Sequence, residues 1–317
     1  MTETYTFEDA LQEIGKEEFD KKYHKVFGKP ILDYVDTIVI NLPEPCYANC
    51  PYCMDKAIRN QTITNKTFLK TVDEITQNFS QSTRVCLTGG TMNPTDFDKM
   101  LTLIENNLTT SNPFITWNTN GIGFYEEWNK WQEVLSKHPI AKVNLHRDSA
   151  EDTENAKCFR TNKKVLTLSD AKTLFKDTLT LRITITEDFK LKPYTDLNIP
   201  LYLNPMVPFT PETARVFLEV KKELSIVDKQ ITRRNAWLNT TYKGIPVRVC
   251  MGDRSAKRHP NREPVFMNVV IIHRNGVAGG TWYDDDKVIY RPREEKYLCN
   301  TRNSQVMLLT KPTQEHL

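Results

Sequence analysis

"DTIVINLPEPCYANCPYC" occupies residues 36–53, and its two halves say different things. The first half, ending at Leu42, is a β-branched run closed by Pro43, the composition of a buried strand stopped by a residue that cannot pair onward. The second half gathers Cys46, Cys50 and Cys53, in a chain with seven cysteines among 317 residues. A disulfide takes two thiols and a closed zinc site takes four ligands. Three thiols in a tight loop just beyond a strand fit neither.

Outward from this stretch, strands and helices alternate. "TRVCLTGG" (83–90) reads as a strand running into a glycine turn, and "TDFDKMLTLIENNL" (95–108) as a helix with an Asp at its cap. "PFITWNTNG" (113–121) is a strand and "YEEWNKWQEVLSK" (125–137) a helix. "AKVNLHR" (141–147), "TLRITIT" (180–186) and "IPLYLNP" (199–205) are further strands, with helical "LSDAKTLFK" (168–176) and "PETARVFLEVKKEL" (211–224) among them. Such alternation predicts parallel β/α units. Six strands are too few for a full eight-stranded barrel, so the expectation is a partial (β/α)6 TIM-like barrel over 36–235. An N-terminal helical segment (1–35) precedes it, and a β-rich C-terminal extension (236–317), with turns at Asn275-Gly276 and Asp284 to Asp286, is expected to cover one end.

Polar or glycine residues recur where these strands end: Gly89 and Gly90, Asn118 and Asn120, Asn144 and His146, Thr184 and Thr186, Asn204. In β/α barrels the chemistry sits at that C-terminal face. Taken singly, each of these residues is also an ordinary turn former.

Composition narrows the classes. The chain is 39% hydrophobic and 26% charged with a net charge of +3, enough to bury a large core without pointing to any partner. No stretch approaches the ~18 uncharged apolar residues of a membrane span. The acidic, amphipathic start is neither a secretory signal nor an Arg-rich transit peptide, so the expected location is the cytoplasm. In a reducing compartment, clustered thiols bind metal or do chemistry. Iron–sulfur clusters are held by thiolates, and a four-iron cluster with three of them keeps one iron open to a small molecule. A zinc site completed by a distant His or Cys is the rival, although Cys86, Cys158, Cys250 and Cys299 are all isolated in sequence.

"CYANCPYC" resembles the CxxxCxxC signature of the radical S-adenosylmethionine (radical SAM) enzymes, including the aromatic before the last cysteine. "LTGGT" (87–91) is similar to that family's GGE segment, "TWNTNG" (116–121) to its TNG, and "VNLHRDS" (143–149) to its fourth-strand segment, so the likeness covers about 36–205. The resemblance implies that Cys46, Cys50 and Cys53 bind a [4Fe-4S] cluster whose fourth iron takes the amino and carboxylate groups of SAM. Reductive cleavage of SAM would then yield a 5′-deoxyadenosyl radical, with flavodoxin or ferredoxin as electron donor. It further implies cofactor-binding roles residue by residue. Tyr52 lies near the adenine, Gly89 and Gly90 bring backbone to the SAM amino group, and Asn144 and His146 reach the ribose. Arg182 pairs with the SAM carboxylate, Asn204 lies near the adenine, and Asn118 belongs to the same set. Two positions depart from the family: Thr91 replaces the acid of GGE, and His146 stands where many members have Asp.

The stretch from Arg233 to Arg262 holds eight Lys or Arg residues against Asp253, a local charge of +7. Such a loop suits a small anionic substrate, nucleotide-like for preference. Nucleic acid is the less favoured partner, since no RNA-binding module is present. A peptide-modifying or glycyl-radical-activating radical SAM enzyme is the alternative within this chemistry. Outside it stands a non-catalytic zinc- or nucleic-acid-binding protein.

Overall fold

The computed structural model describes residues 35, 37–50, 63–110, 112–206, 210–226, 237–250, 269–279 and 288–290. The expected N-terminal helical segment, Tyr52, Cys53, Cys299, the acidic turn Asp284 to Asp286 and most of the basic stretch lie outside these residues. The strands are β1 (Thr37–Asn41), β2 (Arg84–Thr88), β3 (Phe114–Thr119), β4 (Lys142–Arg147), β5 (Leu179–Ile185), β6 (Leu201–Pro205), β7 (Trp237–Tyr242), β8 (Ile245–Cys250), β9 (Val269–Ile272), β10 (Ala278–Gly279) and β11 (Val288–Tyr290). The helices are α1 (Asn65–Asn78), α2 (Pro94–Asn107), α3 (Trp128–Lys137), α4 (Asp152–Phe159), α5 (Leu168–Phe175), α6 (Lys192–Thr195) and α7 (Pro211–Glu223).

All described strands join one sheet, in the order β11-β10-β9-β1-β2-β3-β4-β5-β6-β8-β7. The six predicted strands are β1 to β6, parallel and in sequence order. The described part of the C-terminal extension lengthens this sheet at both edges. β8 pairs parallel to β6, and β9 pairs parallel to β1. Eight consecutive parallel strands result, flanked by β7 on one side and by β10 and β11 on the other, all antiparallel. The Asn275-Gly276 turn is where it was expected: Gly276 takes φ 74° and the His273 N–H donates to the Val277 carbonyl across it.

Period-2 alternation gives the sheet two chemically different faces. Ile38, Ile40, Leu87, Trp117, Leu145 and Leu181 belong to the main apolar core under the helices. The intervening residues face the other way, into the barrel, and they include Cys86, Asn118, Asn144, Arg182, Tyr202 and Arg248. Trp117 stacks in an aromatic group with Phe97 (centroids 4.6 Å apart) and Trp131 (5.5 Å). With Trp117 anchored on the helix side, Asn118 must point inward.

The α2 cap differs from expectation. Asn93, not an Asp, is the N-cap: its Oδ1 accepts from the Asp96 N–H at 2.9 Å, and Pro94 follows at the first helical position. α1 was not expected from the sequence. Its core side is Phe68, Val72 and Ile75, spaced for one helical face.

Candidate functional site

The cysteine loop leaves β1 at its C-terminal end and is pinned on three sides. Leu42 N–H donates to the Thr88 carbonyl at 2.9 Å, and Glu44 and Thr91 exchange backbone hydrogen bonds at 3.1 and 2.8 Å. This pairing lays the Gly89–Gly90 turn directly on the segment that leads to Cys46. A Cβ on Gly90 would lie 2.2 Å from the Leu42 oxygen and 2.3 Å from that of Glu44, so only glycine fits. Gly89 has φ 66°. The Glu44 carboxylate accepts from Asn65 at 2.8 Å, which ties the loop to the start of α1.

On the second side, the Tyr47 ring lies under the Lys163 ammonium, 3.8 Å from its centroid, and Glu126 holds Lys163 at 2.9 Å. Gly123, at φ 87°, supports the same ring: a Cβ there would be 3.1 Å from Tyr47. On the third side, Asn49 N–H donates to the Phe159 carbonyl at 2.8 Å, and Cys46 and Cys50 pack against a small cluster of Ala48, Ile122 and Phe159. Neither cysteine is in a disulfide. Among the described residues no three His, Cys, Asp or Glu side chains form a metal-holding group.

Beside the loop, the strand ends bring several of the predicted residues together on the inner face. Asn144 Nδ2 donates to Asn118 Oδ1 at 3.0 Å, and Asn118 Nδ2 donates to the Cys86 sulfur at 3.3 Å. Asn144 and Asn204 are 6% and 5% exposed, and among the described residues the side-chain oxygen of each has no hydrogen-bond partner. An unmet amide oxygen buried this deeply costs about 1–3 kcal/mol unless a donor meets it. His146 lies 3.0 Å through Nε2 from Asp148 Oδ1, an acid two residues further along the chain. Arg182 is on β5 in register with His146 on one side and Tyr202 on the other.

Arg182 and Arg248 flank the Tyr202 ring at 5.7 and 5.4 Å from its centroid. Lys142, half-buried lower on β4, is pushed below its ordinary pKa by burial first and by the nearby Arg248 second. The inner-facing positions of the described parallel strands thus carry Arg84, Lys142, Arg182 and Arg248 and no carboxylate.

Two residues outside the predicted set belong to this site. Asn120, the second Asn of "TWNTNG", donates from Nδ2 to the Cys46 sulfur at 3.0 Å. Arg147, fully buried, builds the turn after β4 by donating to the Ser149 and Ala150 carbonyls, with Asp152 at 2.8 Å. Asn120 was legible as a strand-end polar residue. For Arg147 the only signal was its place inside "VNLHRDS".

No family model and no curated protein matches the sequence. Solved structures do match. SuiB of Streptococcus suis bound to its precursor peptide SuiA aligns over 86% of this chain and 64% of its own, at 14% identity and a TM-score of 0.51. SuiB in a second crystal structure aligns over 84% and 65%, at 13% identity and a TM-score of 0.49. The enzyme anSMEcpe with bound AdoMet and Cp18Cys peptide aligns over 78% and 75%, at 15% identity and 0.49. The chain therefore spans a little under two thirds of the length of the SuiB chains. These neighbours are radical SAM enzymes, and at such identities the likeness is one of fold. By fold, this chain is a partial β/α barrel similar to that of SuiB.

Proposed function

We propose that this chain is a radical SAM enzyme acting on a small anionic substrate. Cys46, Cys50 and Cys53 would hold a [4Fe-4S] cluster, and SAM would lie across the C-terminal strand ends. The observation that carries the reading is the cysteine loop at the end of β1 beside the buried, unmet amide oxygens of Asn144 and Asn204. The residues present fit the group. Thiolates are the donors such a cluster takes, and the two amide oxygens offer acceptors for the hydroxyl and amino hydrogens of an adenosyl moiety. When bound, the cluster and SAM supply reductive cleavage and a hydrogen-abstracting radical.

What the chain itself contributes is position and charge. The β1–β2 pairing holds the cysteine loop against the Gly89–Gly90 turn, and Asn118 orients Asn144. Arg182 is the residue proposed to meet the SAM carboxylate. Lys142 and Arg248 also face the inner side and support an anionic substrate, as do the other cations of the +7 stretch, of which Arg248 is one. A flavodoxin- or ferredoxin-like donor would supply the electron.

A peptide substrate is the second reading, supported by SuiB, which binds a precursor peptide. One experiment separates these. Reduced, anaerobically reconstituted protein is incubated with SAM, 5′-deoxyadenosine is measured, and deuterium uptake is screened over nucleotides, phosphorylated metabolites and peptides. Label in a nucleotide or phosphorylated compound supports the first reading and label in a peptide the second. A colourless, zinc-containing protein that leaves SAM intact would sink both.

A further inference from the structure

We propose that Asn120 is a positioning residue that sets the reduction potential of the iron–sulfur cluster through Cys46; this rests on Cys46 being a cluster ligand, as argued above. The amide is held so that only its donor end meets the sulfur. Its Oδ1 accepts the Ile122 N–H at 3.1 Å, which fixes the flip of the carboxamide and turns Nδ2 toward Cys46 Sγ at 3.0 Å. The backbone behind it is built for this placement. Gly121 takes φ 72°, and a Cβ there would lie 2.8 Å from Leu166, so the chain must turn at this point and no other residue fits the turn. A second donor, the Ala48 N–H, reaches the same sulfur at 3.4 Å from within the cysteine loop. Among the described residues, Cys46 is thus approached by one donor from its own loop and one from a different strand end.

The electrostatic consequence has a definite sign. Reduction adds one negative charge to the cluster and its thiolates. A hydrogen bond to a thiolate sulfur stabilises the more electron-rich state, so it raises the potential. Removing the donor must make reduction harder, and replacing it with a negative charge must make it harder still. A purely structural role for Asn120 predicts no such ordering.

Two substitutions test this on the full-length, reconstituted protein. Asn120→Asp keeps the acceptor for the Ile122 N–H and exchanges the donor for a carboxylate. Asn120→Ser keeps a smaller acceptor and withdraws the donor from sulfur. The readout is an EPR-monitored redox titration of the cluster, with iron and sulfide contents measured alongside. At the potential where half the parent clusters are reduced, the reduced-to-oxidised ratio is expected to fall about threefold in Asn120→Ser. In Asn120→Asp it should fall about tenfold, equivalent to about 59 mV for a one-electron couple. Where only one variant fills with cluster, that variant decides.

Midpoints equal to the parent's would overturn the proposal. So would failure of both variants to hold a cluster that the parent holds, because the amide would then serve assembly and not potential. A parent protein that takes up no cluster would overturn the radical SAM reading itself, a separate result from either of these.

Discussion

Gly90 shows how tightly the site is tied to the backbone at the scale of single residues. The sequence reading reserved its missing Cβ for the approach of a cofactor, whereas the structure fills that space with the Leu42 and Glu44 carbonyls. The two uses lie on one turn, and the packing role is the one visible in the geometry. Gly90→Ala is therefore expected to destabilise the protein by about 3 kcal/mol or more, through a backbone collision that no rotamer relieves. Thermal unfolding checks this, and iron uptake should fall with it because the same strand segment carries Cys46. Asn118 and Asn120 make the complementary point. Both are polar residues at one strand end, but alternation sends Asn118 inward to Asn144 and Cys86, while Asn120 lies past the strand and reaches Cys46. The motif made both visible; only three-dimensional placement separates their jobs.

At the scale of elements, strands were easier to read than helices. β1 to β6 follow the predicted runs to within about two residues, because β-branched stretches between turn formers leave little choice. α1 escaped because its surface is rich in Thr and Asn, which lower helix propensity and hide the periodic Phe68, Val72 and Ile75. The α2 cap was misplaced by three residues because Asp96 and Asn93 form one hydrogen-bonded unit, in which Asn93 caps and Asp96 accepts from it at 2.9 Å. Asp96 has a consequence for acid stability. Burial raises its pKa, but the hydrogen bonds from Asn93, Asn65 and Lys99 outweigh that and hold it below 3.8. A carboxyl depressed in the folded state contributes stability that is present above the unfolded value and is lost as the pH falls through the native one. Asp96→Asn should therefore flatten the decline in urea midpoint below about pH 4, at a cost of about 1 kcal/mol or less near neutrality.

For the whole molecule, the departure from expectation is where the C-terminal strands go. Local pattern marks β8 and β9 as strands but carries no information about which edge each will join, since pairing is decided by non-local packing. β8 extends the sheet beyond β6, β9 extends it beyond β1, and Arg248 thereby comes to face the barrel interior near Lys142. Lys142 illustrates what that arrangement costs. Its folded-state pKa is lowered by burial and Arg248, so below 10.5 the unfolded chain holds that proton more firmly and the buried charge opposes folding. Lys142→Met is expected to raise Tm at neutral pH, with the gain shrinking as the pH approaches 10.5, while binding of the anionic substrate weakens. Differential scanning fluorimetry across pH measures the first effect. A variant of unchanged or lower Tm would show that the ammonium is already compensated.

The central claim is that three thiolates leave one iron open and that SAM occupies it. EPR of the reduced, reconstituted protein recorded with and without SAM tests this most directly. The account predicts a [4Fe-4S] signal whose g-values move when SAM is added, and no such signal in Cys50→Ala. A spectrum indifferent to SAM, or a cluster that survives intact in Cys50→Ala, would contradict it.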